Sequence, residues 1–128
     1  MRIAVSAAGK EHDSEVDPRF GRCGYFLVVD SDTREFEAFA NESVAAMGGA
    51  GIKAAQFVVG LDVGAVLTSN IGPNAFEVLD AAGIEVMTCS EGTVEAAIES
   101  YNAGELQKVQ GSTVESHFGM GQGGRRGR

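Results

Sequence analysis

The sequence contains no tryptophan, only two prolines and only two cysteines. Without tryptophan, and with aromatic residues at 7%, its core must be built from aliphatic side chains and phenylalanine. Two cysteines, Cys23 and Cys89, do not make a disulfide framework of the kind that staples small secreted domains. No apolar run approaches the roughly 18 residues of a membrane span, and no secretory signal opens the chain, which begins directly with the strand-like RIAVS. The reading is a cytoplasmic, reduced protein with no membrane contact. Basic residues are scarce too: ten Lys and Arg stand against 18 Asp and Glu, a net charge of −8. Three of those ten are arginines in the last eight residues, so residues 1–120 hold seven bases and 18 acids, or −11. An acidic body of this kind argues against nucleic acid as a partner, since phosphate is met by Lys and Arg. The GRRGR end is read as a solubilising tail, with an anion contact as the alternative.

What is present suffices for one domain: 128 residues, of which 44% are hydrophobic, and 18 glycines that fall mostly at turns. The most organised stretch is GAVLTSNIGPNAFEVL, residues 64–79. Ala65, Val66 and Leu67 form a short apolar run suited to a buried parallel strand. A polar turn follows through Thr68, Ser69, Asn70 and Gly72. Pro73 then opens a helix, where a fixed φ and a missing N–H do no harm, and Ala75, Phe76, Val78, Leu79 and Ala82 continue at helical spacing. Turns of this kind, just past the carboxyl end of a strand, are where open α/β sheets bind ligands.

Around this unit the remaining elements fall into place. Ile3-Ala4-Val5 is an interior strand. Residues 6–24 lose all periodicity and form a long polar loop, either functional or a mobile flap. YFLVVD (25–30) and EFEAFA (35–40) read as a hairpin whose second strand is an edge, so one member of the sheet runs against the others. The loop 41–51 ends in a glycine cluster before a helix from Ile52 to Leu61, with Ile52, Ala55, Val58 and Val59 as its apolar stripe. The helix opened by Pro73 runs to about Ala82. Ile84–Met87 is a further strand, and Val94–Asn102 a last helix with Thr93 as its N-cap. The order β-β-β-α-β-α-β-α, with right-handed crossovers, predicts an α/β fold with helices on both faces. Its five-stranded mixed sheet, order 3-2-1-4-5 with strand 2 antiparallel, resembles the ribonuclease H-like arrangement. The domain covers 1–107, and 108–128 forms a flexible Gly-rich tail. The loop 7–24 and the turn 69–73 then border one crevice.

The chemistry available there is not that of a nuclease, because no carboxylates converge from strands to hold a metal pair. His12 and Cys23 can form a thiolate–imidazole pair, but without a third, orienting residue. Soft metal ligands are His12, Cys23, Met47, Met87, Cys89, His117 and Met120, none at a zinc-site spacing. Arg19 and Arg22 flank Cys23 and would lower its pKa and attract an anion. Both cysteines are placed to face one ligand, although burial as a small apolar residue is the commoner fate. The glycine cluster Gly48, Gly49, Ala50, Gly51 lets backbone N–H groups approach an anion. Other roles stay open: Arg19 pairing with Asp13 or Asp17, turn and cap work for Asn70 and Asn74, and core packing for Phe20 and Phe26.

Six segments taken together carry a resemblance: MRIAVS, HDSEVDPRFGRCGYFLVVD, GGAGIKAAQ, TSNIGPNAF, AAGIEV and EGTVEAAI. At this spacing the chain resembles the dinitrogenase iron-molybdenum cofactor biosynthesis family, the group of NifX, NafY and the carboxy-terminal part of NifB. The resemblance covers residues 1–107. It implies a ribonuclease H-like fold with no enzymatic activity, and binding or carriage of an iron–sulfur, iron–molybdenum–sulfur or molybdenum–copper–sulfur cluster. There is no CxxxCxxC motif, hence no radical chemistry. The resemblance and the residues together make Arg19, Arg22, Cys23, Gly49, Ala50, Gly51, Asn70, Gly72 and Asn74 the cofactor-binding set, with Cys23, His12 and Cys89 as metal ligands. The implied partner is a metallocluster assembly or target protein, and the chain itself is a monomer or weak homodimer. The alternative is a metal-free regulatory or interaction module of the same fold.

Overall fold

The computed structural model describes residues 1–45, 49–89 and 91–110. Six strands form one sheet: β1 (Arg2–Ala7), β2 (Tyr25–Asp30), β3 (Phe36–Ala40), β4 (Ala65–Thr68), β5 (Glu85–Thr88) and β6 (Gln107–Lys108). Three α-helices accompany them, α1 (Ala50–Val59), α2 (Pro73–Ala81) and α3 (Val94–Asn102), with a short 3-10 turn at Glu42–Ala45. The spatial order is β3-β2-β1-β4-β5-β6. β1 sits centrally, antiparallel to β2 and parallel to β4, and β4 is parallel to β5. Among the described residues no helix is long and apolar enough to cross a membrane.

Strand alternation builds two cores. Ile3, Val5, Leu27, Val29 and Leu67 point to one face and pack with Val94, Ala97 and Ile98 of α3. Ala4, Phe26, Val28, Val66 and Val86 point to the other and pack with Ala54 and Val58 of α1 and Ala75 and Leu79 of α2. The side-chain period of two forces this division once the register is set.

Several expectations are corrected. The sheet has six strands rather than five: Gln107 and Lys108 pair antiparallel with Thr88 and Met87, and the Val109 N–H donates to Val86 O at 2.8 Å. Strand pairing therefore reaches Lys108, and two strands, β2 and β6, run against the rest. Residues 111–128, which include His117 and Met120, lie outside the described residues, as do Met47 and Gly48. α1 starts two residues early and buries Ala50, Ala54, Ala55 and Val58, while Val59 stays 38% exposed. β5 is shifted by one, to Glu85–Thr88. The 7–24 loop is pinned rather than free. Ala8 N–H donates to Glu15 O at 2.9 Å, Val16 N–H to Gly92 O at 2.8 Å, and Arg19 forms a bridge with Asn70. Pro73 does open α2, and Gly83, at φ 78°, takes the left-handed position that follows it.

Candidate functional site

Two polar side chains sit where an interior strand would normally carry apolar ones. Ser6 near the end of β1 and Thr68 at the end of β4 are fully buried. Ser6 Oγ lies 2.7 Å from Asp17 O and 2.8 Å from Thr68 Oγ1. A carbonyl only accepts, so the single Ser6 proton goes to Asp17 and the Thr68 hydroxyl donates to Ser6. Asp17 N–H returns a bond to Ser6 O at 2.9 Å. The loop is thereby clamped to the carboxyl ends of the two central strands. Asn70 N–H donates to Pro18 O (2.8 Å) and Phe20 N–H to Asn70 O (3.1 Å), which carries the loop beside the turn that precedes α2.

The result is an open cavity of about 410 Å³ walled by Arg19–Arg22, Gly49–Ile52 and Asn70–Ala75. Eight of the nine residues expected at a cofactor site line it: Arg19, Arg22, Gly49, Ala50, Gly51, Asn70, Gly72 and Asn74. Among the described residues the lining holds two arginines and no carboxylate, in a chain whose net charge is −8.

Both α1 and α2 begin at this cavity, and neither has a side-chain cap. Their N-cap residues are Gly49 and Gly72, which offer no side-chain acceptor. The first intrahelical bonds are Lys53 N–H to Gly49 O and Phe76 N–H to Gly72 O, each 3.0 Å. The N–H groups of the first turns before them therefore have no acceptor within their own helix. Neither helix has an acid in its first turn. Each helix start contributes roughly half a positive elementary charge. Gly49 needs its lack of Cβ because its φ is 71°. Gly21 needs it for space: a Cβ there would stand 2.9 Å from Gly51 Cα, so the loop lies backbone to backbone on the start of α1.

The arginines are not equivalent. The Arg19 backbone N–H donates to Asp17 Oδ1 at 3.0 Å and its Nε to the same oxygen at 3.3 Å. The hydrogen bond with the buried Asp17 carboxylate raises the Arg19 pKa, and the pair is locally neutral. Arg22 supplies the second guanidinium of the lining.

Cys23 is the ninth expected residue, and it is not at the cavity. It is fully buried in the core under α1 and α2, its thiol donating to Phe20 O at 3.3 Å. Burial, with a smaller push from the Asp17 carboxylate, moves its pKa up to about 12, which reverses the expected lowering by the arginines. Cys89 is buried on the opposite face of the sheet, its pKa pushed up by burial to about 11. His12 is also on that face, 3.6 Å from Glu95 and tilted at 60° against Phe36, with ring centroids 5.4 Å apart. The three expected metal ligands are thus not brought together, and no thiolate–imidazole pair forms. Among the described residues no cluster of three His, Cys, Asp or Glu is poised to hold a metal ion. Phe20 and Phe26 pack in the core at 5.2 Å, Phe20 also lining the cavity.

Three residues at the site escaped sequence reasoning. Ser6 read as the start of the polar loop and Thr68 as part of the polar turn; their signal was a hydroxyl directly after each of two apolar strand runs. Asn41 read as loop, yet it is 3% exposed and its amide donates to Gly21 O (3.1 Å) and Cys23 O (2.9 Å).

Comparison with known proteins places this geometry among relatives. The family model described as dinitrogenase iron-molybdenum cofactor matches residues 1–104. The apo form of the orange protein from Desulfovibrio gigas is 42% identical, with a TM-score of 0.85 over 88% of this chain and 96% of that one. A putative NifB protein from Thermotoga is 36% identical, with a TM-score of 0.77 over 88% and 97% of the two chains. An uncharacterized protein of Methanocaldococcus jannaschii, MJ0580, is 29% identical over 86% of this chain and 92% of its own length.

Proposed function

Because the chain belongs to the dinitrogenase iron-molybdenum cofactor family, we propose that it binds and carries an anionic metal–sulfur cluster or its precursor. The cargo is of the iron–sulfur, iron–molybdenum–sulfur or molybdenum–copper–sulfur type, and the chain does no chemistry on it. One observation carries the reading: the cavity combines two glycine-capped helix starts with two arginines and no carboxylate, although the chain is strongly acidic. An anionic cargo accepts hydrogen bonds from backbone N–H groups, and these groups need no reorganisation to receive it. The Asn70 and Asn74 amides stand at the same rim and add neutral donors. Arg22 contributes a second guanidinium to the lining, and Arg19 is paired with Asp17.

Cys23 is outside this set. Its side chain is fully buried in the core, turned onto Phe20 O, and does not line the cavity. The cargo is therefore held without a protein–metal bond from Cys23, and His12 and Cys89 play no part. An open cavity with such contacts suits temporary holding and transfer, so the partner is a metallocluster assembly or target protein in the cytoplasm. The sheet order also supports a ribonuclease H-like fold put to binding.

Anaerobic reconstitution with iron, sulfide and molybdate, with copper in a parallel sample, tests the reading. Visible absorption and metal analysis after desalting should show metal and sulfide retained at a fixed ratio to protein. Protein that emerges free of metal from every mixture would leave the second reading, a metal-free interaction module. The burial of Cys23 is the observation that favours that alternative.

A further inference from the structure

Most of the cavity wall is backbone, and backbone holds a shape only if something fixes it. The Gly21 side of the cavity is a turn anchored in the core by Phe20 and Cys23, but its backbone at Gly21, Arg22 and Gly24 is partly or largely exposed. One buried side chain from another part of the chain reaches it. Asn41 follows β3 directly and is 3% exposed. Its Nδ2 donates to Gly21 O at 3.1 Å and to Cys23 O at 2.9 Å. Its Oδ1 accepts from Ser43 N–H at 3.1 Å, and its own N–H donates to Gly24 O at 2.9 Å. An amide nitrogen has two protons, and both are used by the two carbonyls. The Cys23 Sγ at 3.8 Å is then a packing neighbour. The orientation of the amide is fixed by these partners, since a flipped amide would set oxygen against two carbonyls.

Asn41 thus joins both walls. On one side it grips the Gly21–Cys23 turn. On the other its Oδ1 shapes the start of the Glu42–Ala45 turn, which packs on α1. The turn it grips meets α1 with no slack, because Gly21 lies within one Cβ of Gly51. We infer that Asn41 is the positioning residue of the cavity: its buried amide holds the Gly21–Cys23 turn against the Glu42–Ala45 turn, which packs on α1, and so sets the gap in which the cargo lies. The affinity consequence rests on the cargo reading above; the positioning itself does not.

Two readouts separate the claims. The first is hydrogen exchange in the empty protein. Asn41→Ala should speed exchange of the Phe20, Arg22 and Lys53 amides at least tenfold while Val29 and Leu67 change little. Asn41→Asp keeps the acceptor for Ser43 N–H but removes both donors, and should do the same. Ile98→Val, a core truncation on the other face of the sheet, should leave the three cavity amides at their wild-type rates. An equal rise at all five amides in the Asn41 variants, or no rise, overturns the proposal whether or not the chain carries metal. The second readout is retention of material reconstituted from iron, sulfide and molybdate. It should fall at least tenfold in both Asn41 variants and stay near wild type in Ile98→Val. Retention equal to wild type in a folded Asn41→Asp protein overturns the link from positioning to binding. Should Asn41→Ala not fold, Asn41→Ser is read in its place. Wild type that retains no metal refutes the cargo reading alone, and the exchange data still decide the role of Asn41.

Discussion

The N-terminus of α3 and those of α1 and α2 solve the same problem in opposite ways. At α3 every early N–H is spent within the protein. Val94 donates to Ser14 O at 2.9 Å, Glu95 to His12 O at 2.9 Å, Ala96 to the Thr93 side chain at 3.1 Å and Ala97 to Thr93 O at 3.0 Å. Glu95 adds a negative charge to that first turn. At α1 and α2 the cap residues are glycines, no side chain caps the helix, and the first turns carry no acid. Among the described residues, the same chain therefore builds one helix start capped by side chain and loop on one face of the sheet and two without a side-chain cap on the other. A side-chain cap is more stabilising than glycine by a few tenths of a kcal/mol, so two adjacent glycine-capped helix starts forgo a little stability at the cavity. Local deviations of this kind are expected where function constrains the sequence.

The sharpest way to break the contrast is to close an open start. Gly72 has extended backbone, φ −82° and ψ 170°, and a Cβ there meets nothing within 4 Å. Gly72→Asp should therefore fold, with a few tenths of a kcal/mol of added stability from the new cap. It also places a carboxylate in the cavity. Retention of reconstituted metal should fall by about a hundredfold, the order of a lost pair of charge-assisted contacts. Metal analysis alongside a thermal melt checks both halves, and a stabilised variant that still retains cargo would refute the cradle.

Gly21→Ala should come next. Its Cβ would press on backbone rather than on a flexible side chain, so the start of α1 must move. Overpacking of this kind typically destabilises by about 1–3 kcal/mol, and chemical denaturation would show it. A variant as stable as wild type would mean that the loop and α1 are not locked together.

The buried thiols give a pH prediction. Folded Cys23 and Cys89 have pKa values of about 12 and 11, raised from 9.0. The unfolded chain therefore releases these protons first as pH rises. The contribution is fully present below pH 9, and it is lost as pH climbs from there toward the folded values. By pH 10 the loss should be roughly 1 kcal/mol for each thiol. Urea melts of wild type and Cys23→Ala at pH 8 and pH 10 should show a smaller drop in the variant; equal drops would place the Cys23 thiol in contact with solvent.

The smallest effect is expected at the closed start. Thr93→Ala removes the cap of α3 and should reduce stability by about 1 kcal/mol. Metal retention should not change. A loss of cargo in Thr93→Ala would mean that α3 belongs to the site.

Much of this was legible in the chain because turns after buried strands are written in glycine, asparagine and proline. The strand Ala65–Thr68 and the helix from Pro73 were set by an apolar run and a proline with one natural position. That unit located one wall of the cavity, and the Arg19–Arg22 and Gly49–Gly51 segments supplied the others. What stayed hidden depended on contacts far apart in sequence. Asn41 works through carbonyls 18 and 20 residues away. The burial of Cys23 follows from the way the turn folds back under α1. The sixth strand is two exposed polar residues held by main-chain pairing with β5, a Thr88 hydroxyl bond to Gln107 O and the Lys108–Glu85 ion pair, so no apolar pattern announces it.

The central claim is that open backbone N–H groups and arginine, not cysteine, hold the cargo. A cysteine-free protein, Cys23→Ala with Cys89→Ala, reconstituted anaerobically with iron, sulfide and molybdate and analysed for metal and sulfide after desalting, tests it most directly. The account predicts the same metal and sulfide per protein as wild type. Protein that folds but retains neither, beside a wild type that retains both, would contradict it and return the cargo to a thiolate.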